Sequence, residues 1–279
     1  LAVVLGLPEE KLRVVQTMMG GAFGGKEDYP SMLAAHAALL ARKAGKPVKI
    51  VYGREEDMLA TTKRHPSIIR HKTGLKKDGT LIAMEIEVIM DGGAYTTLSP
   101  VVLSRGAIHS TGPYRCPNVK ITGAAVATNT PPNGAFRGFG APQVTFAFER
   151  QMDRCAKALK MDRLAIRKKN LLRRGDITAT GQRLSSSVGA LSVFDRVSKL
   201  PPLSKKISGP AKVKGRGYSF FWHGGGFTGD GELHLKGKVA VELLRGGKVN
   251  VLSACTEMGQ GKDTVFAQIA AETLEIQMD

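Results

Sequence analysis

The run Met19-Gly-Gly-Ala-Phe-Gly-Gly-Lys-Glu27 constrains this chain more than any other stretch. Four glycines surround one aromatic, and a Lys-Glu pair closes the run. Leu12–Met19 reads as a strand before it and Pro30–Ala44 as a helix after it. A glycine turn between strand and helix lets backbone N–H groups approach an anion closely, because no Cβ blocks the way. Gly20-x4-Gly25-Lys26 also fits the first seven positions of a phosphate-binding P-loop. The eighth should carry a hydroxyl for magnesium, yet it is Glu27, whose carboxylate repels a triphosphate. A tight turn serving only helix–strand packing is the third reading.

The 279 residues allow one large domain or two ordinary ones, and with aromatics at 6% the core must be mostly aliphatic. No run of 18 apolar residues exists, so no membrane span is expected. The first residues lack a basic region and a starting Met, so no signal peptide is read and a piece of a longer protein is expected. Cys116, Cys155 and Cys255 lie far apart, without the spacing of a zinc or iron–sulfur site, and fit a reducing cytoplasm. The net charge of +17 is spread along the chain, denser in Arg163–Arg174 and Lys205–Arg216, without interleaved aromatics for stacking bases. It favours a solvated face or a surface for acidic partner subunits. A basic module binding nucleic acid or protein is kept as the alternative of another class. His36 reads as a core or interface residue, and His65, His71, His109, His223 and His234 lack metal-ligand spacing.

Further along, Gly45 stops the first helix, Pro47–Tyr52 reads as a strand and Arg54–Thr62 as a short helix. Ser67–Lys76 and Leu81–Met90 form a hairpin about Lys77-Asp-Gly79, the second arm alternating well. A helix is expected near Val101–His109. The turn-rich Asn129–Gly134 leads to a second cluster, Ala135-Phe-Arg-Gly-Phe-Gly-Ala-Pro-Gln143. Helices follow over Gln143–Leu159, with Phe146, Met152, Cys155, Ala156 and Leu159 as the apolar positions, and over Asp162–Leu172, capped by Asp162. Residues 175–211 turn toward Ser, Gly, Pro and Lys, with one short helix near Ala190–Lys199. Strands are expected at Lys212–Phe221, Glu232–Leu244 and Lys248–Ala254, with Arg245-Gly-Gly247 as a hairpin turn. A third cluster, Thr256-Glu-Met-Gly-Gln-Gly261, opens a helix over Lys262–Leu274. Two helix N-termini able to hold anions result.

Gly20-Gly-Ala-Phe-Gly-Gly-Lys-Glu27, Ala135-Phe-Arg-Gly-Phe-Gly140 and Thr256-Glu-Met-Gly-Gln-Gly261, in this order and over nearly the whole chain, resemble the molybdopterin-binding subunit of the xanthine dehydrogenase/xanthine oxidase family of molybdenum hydroxylases. The resemblance implies an α+β fold of two molybdopterin-binding domains with mixed sheets and packed helices. Residues 1–185 would form the first domain, 186–211 a linker and 212–279 the start of the second. It implies a molybdenum–molybdopterin cofactor, the cytosine dinucleotide form being one option, held by Gly21, Phe23, Gly24, Arg137, Gly138, Met258, Gly259 and Gln260. The backbone N–H groups of Phe23 and Arg137 would lie near molybdenum. Glu27 and Arg105 would orient substrate and stabilise charge, while Phe139, Phe227 and Thr228 would line its slot. Paired Glu27 and Arg105 suit a purine-like N-heterocycle; an aldehyde or a nicotinate-like ring is the alternative. Simpler readings remain for each: Glu27 pairing with Lys26 or Arg105 as a surface bridge, Arg105 as an exposed charge, Phe139 as core packing. The family's general base and a glutamine near the metal are expected outside this chain, and 2Fe–2S and FAD on other domains or subunits. A fragment of this kind is expected to be inactive alone.

Overall fold

The computed structural model describes residues 1–17, 19–201, 215–225, 234 and 236–278. It separates into two compact units, Thr62–Gly224 and Leu1–Thr61 with Gly225–Asp279. One unit takes segments from both ends of the chain, so this division is of a different kind from the linear one expected for cofactor-binding domains.

In the Thr62–Gly224 unit, β1 (Ser67–Leu75) pairs antiparallel with β2 (Leu81–Gly93) across the expected turn. Helix α1 (Ser99–His109) then carries the chain over to β2's other edge, where β3 (Asn118–Ala127) pairs parallel with it. A parallel neighbour needs such a crossover, and the sheet is therefore mixed. Met84, Ile86, Val88 and Met90 alternate inward along β2 and are buried, the period of a strand with one core face. Helices α2 (Ala141–Leu159) and α3 (Arg163–Asn170) close that face, and α4 (Ala190–Ser198) adds Phe194.

Three details depart from expectation. β3 is a strand where the sequence pattern predicts none. In α2, Phe146 is 72% exposed, and the inward face is Val144, Phe148, Met152, Cys155 and Ala156. Residues four apart share a helix face, and Phe146 falls midway between Val144 and Phe148, on the other side. The described parts of Leu12–Met19 and Lys212–Phe221, and Pro47–Tyr52, form no strand, because none of them finds a ladder partner among the described residues. Residues 212–214 and 232, 233 and 235 lie outside the described residues.

Two polar arrangements join these elements. Asn170 donates through Nδ2 to the Gly79 and Ile166 carbonyls, both at 2.8 Å, and accepts the Leu81 N–H at 3.0 Å, tying the hairpin to α3. Arg167, 1% exposed, donates to Glu149 Oε2, to the Glu149 carbonyl and to Asp153, each at 3.0 Å. Tyr114 donates its hydroxyl to the same Glu149. Asp162 caps α3 through the Leu164 and Ala165 N–H groups, as expected.

The other unit holds a four-residue helix (Ala2–Leu5), a 3-10 turn (Glu9–Lys11), Pro30–Ala44 and Arg54–Ala60 as helices, a β4–β5 hairpin (Val239–Leu243 and Val249–Ser253) and the helix Lys262–Leu274. Gly45 closes the first long helix at φ 62°, where a Cβ would be strained. Among the described residues no helix is long and apolar enough to cross a membrane.

Candidate functional site

Each glycine cluster bends the backbone for a local reason. In the first loop Phe23, Gly24 and Gly25 take φ of 53°, 93° and 74° in succession. The Phe23 ring folds over Gly21, where a Cβ would come 2.9 Å from Cε2. Phe23 is the costly member, because a left-handed aromatic sacrifices roughly 1–2 kcal/mol. It is also 63% exposed, so core burial does not compensate that cost. The Phe23 N–H finds no acceptor among the described residues. Exposed Glu27 accepts the Lys26 backbone N–H at 3.0 Å, while the Lys26 ammonium lies 3.9 Å from Asp57. The Lys26 side chain thus faces Asp57. Asp28 has a carboxylate oxygen buried without a partner among the described residues, and burial, then the Glu27 charge, push its carboxyl up.

The third loop, in the same unit, is held by its own side chains. Glu257 accepts backbone N–H groups of Gly259 at 2.8 Å, Gly261 at 3.2 Å and Asp263 at 3.3 Å. These bonds hold its carboxyl below the usual range. The N-terminus of Lys262–Leu274, expected to await an anion, is therefore filled by an internal carboxylate. Gln260 turns back as well: its Oε1 accepts the Met258 N–H at 2.8 Å and its Nε2 donates to the Thr256 carbonyl at 2.7 Å. Thr256 reaches Gln16, ahead of the first loop, at 2.9 Å.

The second loop belongs to the Thr62–Gly224 unit and consists of two overlapping turns. Phe139 N–H donates to the Phe136 carbonyl at 2.7 Å, with Gly138 at φ 90° as third residue, the requirement of a type II turn. Ala141 N–H then donates to the Gly138 carbonyl at 3.0 Å, with Phe139 and Gly140 at φ 48° and 96° between them. Gly140 has no room for a side chain: a Cβ would lie 2.1 Å from the Val102 carbonyl oxygen of α1. Phe139 packs partly against the core. The Arg137 and Gly138 N–H groups find no acceptor among the described residues.

Arg105 apart, sequence reasoning missed the groups around this loop. Arg64 donates to the Arg137 carbonyl at 2.7 Å and lies 4.7 Å over the Phe136 ring. Its Nη1 is buried without a partner among the described residues, and burial pulls its pKa down. Arg105, on α1, sits against His223, and His223 Nε2 lies 3.3 Å from the Gly138 carbonyl. Buried His109 stacks on His223 and neighbours Trp222, with centroids at 5.1 and 5.0 Å. The chain's single tryptophan, beside a histidine and ahead of three glycines, was the available signal.

The structure thus brings Arg105, Arg137, Gly138 and Phe139 together in one unit, while Gly21, Phe23, Gly24, Glu27, Met258, Gly259 and Gln260 belong to the other. Phe227 and Thr228 lie outside the described residues. Among the described residues no group of three or more His, Cys, Asp or Glu side chains could hold a metal ion. The donors on offer are backbone N–H groups and a guanidinium, which suit oxo, thiolate or phosphate groups of a metal-carrying cofactor.

Two family models, both described as molybdopterin cofactor-binding domain, match residues 1–171 and 198–279. The chain is 39% identical over 275 residues to a probable xanthine dehydrogenase subunit of Bacillus subtilis (strain 168), covering 98% of this chain and 36% of that protein. It is 45% identical over 193 residues to the "nicotinate dehydrogenase large molybdopterin subunit" of Eubacterium barkeri, covering 69% and 45%. The solved aldehyde oxidoreductase of Desulfovibrio gigas superposes with a TM-score of 0.63 at 37% identity, over 71% of this chain and 21% of that one. The chain spans less than half the length of these proteins.

Proposed function

This chain belongs to the molybdopterin cofactor-binding family of the molybdenum hydroxylases, and from that premise we propose that the protein containing it oxidises a purine-like N-heterocycle, with water as the oxygen source and electrons leaving to 2Fe–2S and FAD partners. The observation that carries this reading is the second loop, whose Arg137 and Gly138 N–H groups find no acceptor among the described residues, on a turn clamped from behind by Arg64. Such fixed donors cost nothing to reorganise when a ligand arrives. They fit an anionic cofactor, and so does the Phe23 N–H of the first loop, which has no acceptor among the described residues.

When bound, the cofactor's molybdenum supplies the two-electron oxidation. This chain's residues hold it and orient substrate. Gly21, Phe23, Gly24, Arg137, Gly138, Met258, Gly259 and Gln260 would each contact it, the Met258 and Gly259 N–H groups being already engaged by Gln260 and Glu257. Gln260 keeps one amide N–H beyond its two loop bonds. Glu27 would accept from ring N–H groups, Arg105 would balance charge developing on the ring, and Phe139, Phe227 and Thr228 would contact the substrate. We assign no general base within these 279 residues. The cytosine dinucleotide form of the cofactor, the domain limits 1–185 and 212–279, and a cytoplasmic setting belong to the same proposal.

A pyridine carboxylate is the second reading, favoured by the 45% identity to the protein named as a nicotinate dehydrogenase subunit. The test is metal and pterin analysis of the full-length protein with its partner subunits, alongside turnover of hypoxanthine, nicotinate and benzaldehyde. Molybdenum near one per protein, with hypoxanthine oxidation lost in Glu27→Ala while metal content holds, is the expected result. A folded complex without molybdenum or pterin overturns the reading and restores the basic interaction module.

A further inference from the structure

Arg105 does not stand alone on α1. Its Nη1 lies 3.3 Å from Nε2 and 3.5 Å from Nδ1 of His223. Near-equal distances to both ring nitrogens put the guanidinium against the ring itself instead of in line with one lone pair. The same ring lies 3.0 Å through Nδ1 from the Gly224 carbonyl and 3.3 Å through Nε2 from the Gly138 carbonyl. One imidazole therefore touches the proposed charge-balancing arginine and the proposed cofactor loop together.

The ring is backed by a second histidine whose tautomer the structure sets. His109 Nδ1 lies 2.6 Å from the Arg105 carbonyl, which can only accept, so Nδ1 carries the proton. Its Nε2 then accepts the Gly224 N–H at 3.0 Å. His109 is buried and stacked on His223 at 26° between planes. Burial first, then the His223 and Arg105 charges, hold its pKa low. A neutral His109 thus fixes the His223 segment to α1 through two hydrogen bonds and a stack. A planar guanidinium can lie flat on an aromatic face.

We propose that His223 is a positioning residue: its ring seats the Arg105 guanidinium beside the second glycine loop, at a spacing from α1 that His109 sets. This rests on the substrate reading of Arg105 given above. Specificity for the proposed heterocycle then depends on a residue that need not touch it.

The test uses the full-length protein in its complex, with His223→Ala, Arg105→Ala, the double variant and His223→Phe, which keeps a ring face without nitrogens. Hypoxanthine kcat/KM is read together with molybdenum content and a crystal structure of His223→Ala. His223→Ala is expected to lower kcat/KM about tenfold or more at full metal content, yet less than about threefold when Arg105 is already Ala, because coupled residues are not additive. His223→Phe should recover most of the loss. Equal losses on both backgrounds, or no recovery with Phe, overturn the inference. If Arg105→Ala changes nothing, the substrate reading of Arg105 falls instead. The crystal structure then decides the seating: a guanidinium that moves in His223→Ala upholds it, and one that stays in place overturns it.

Discussion

The Arg64 guanidinium donates to the Arg137 carbonyl at 2.7 Å, so one arginine sets the central peptide of the turn on which another sits. With that C=O held, the trans peptide aims the Gly138 N–H the opposite way. Arg64→Ala should free this peptide and cost about 1–3 kcal/mol, the worth of a bond from a charged donor. The expected outcome is a folded protein with molybdenum content at less than half the unsubstituted level. Arg64→Lys should fall between, since an ammonium lacks the planar stacking on Phe136. Full metal content in Arg64→Ala, by elemental analysis of the purified complex, would show that the clamp does not serve the cofactor.

Gly140 and Val102 define the closest approach of loop and helix. A Cβ at Gly140 would meet the Val102 carbonyl at 2.1 Å and the Gly106 N–H nitrogen at 2.9 Å. Neither backbone atom can swing aside, so Gly140→Ala must push α1 from the loop. A cost of about 3–5 kcal/mol is expected, at the extreme of single substitutions. Gly246→Ala, at φ 88° with no atom within 4 Å, carries only local strain of about 1–2 kcal/mol. Denaturant melts of the two variants decide: equal losses would contradict the close approach.

Arg167 is the largest fully buried side chain, and Glu149 is its main anchor. Burial pushes the Glu149 carboxyl up, and the Tyr114 and Arg167 hydrogen bonds pull against it. Arg167→Ala leaves that carboxylate buried without its cation, for which about 3–5 kcal/mol is expected. Replacing both with apolar residues, Arg167→Met with Glu149→Leu, should cost less than the single change. A double variant less stable than Arg167→Ala in thermal melts would reverse this ordering.

Much of this fold was legible where local chemistry and tertiary packing agree. Asp162, Gly45 and the Lys77-Asp-Gly79 turn mark their element ends with capping oxygen or positive φ, and the structure follows them. β3 escaped notice because Gly123-Ala-Ala interrupts any alternation, and most of its residues face outward. Its strand state comes from pairing with β2 in parallel, a long-range relation that no window of ten residues contains. Phe146 misled for the converse reason: an aromatic on an amphipathic helix counts as apolar, whichever side the period gives it. The glycine clusters were readable as backbone sites, yet Arg64 and His223 serve the second loop from 73 and 85 residues away. Nor does sequence show that Glu257 fills its own helix end, since the bond depends on a left-handed Gly259.

Glu257 makes that point testable. Its carboxyl is held low by backbone N–H groups, Gly259 first. A depressed carboxyl stabilises above its unfolded value near 4.5 and loses that contribution as pH falls through the folded value. Glu257→Gln, which accepts with one neutral oxygen, should therefore remove part of the acid sensitivity of the Lys262–Leu274 helix. Hydrogen exchange of its first-turn amides, compared between pH 6 and pH 4 (about neutral-acid extremes for this group), reads it. Identical pH dependence in both proteins would exclude the carboxylate as the cap.

His71 gives a second pH dependence of known sign. It lies on β1 opposite Ile86, with Nδ1 3.1 Å from the Thr73 hydroxyl and Nε2 buried without a partner among the described residues. Gln151 donates to that hydroxyl at 3.1 Å, which leaves the Thr73 proton for His71 Nδ1. A proton added at Nδ1 would face another donor, and burial lowers the pKa from 6.5 to about 4. Between those values the unfolded chain binds a proton that the folded one does not. Stability from neutral His71 is therefore complete above the unfolded pKa and is lost as pH falls toward the folded one. The shift sets a ceiling of about 3 kcal/mol, reduced because the ring is only partly buried. His65 and His109 move in the same direction, so the informative quantity is the difference from His71→Leu. Thermal melts across this window should show the unsubstituted protein losing stability faster toward acid than the variant. Parallel curves would mean that His71 stays hydrated and titrates as in the unfolded chain.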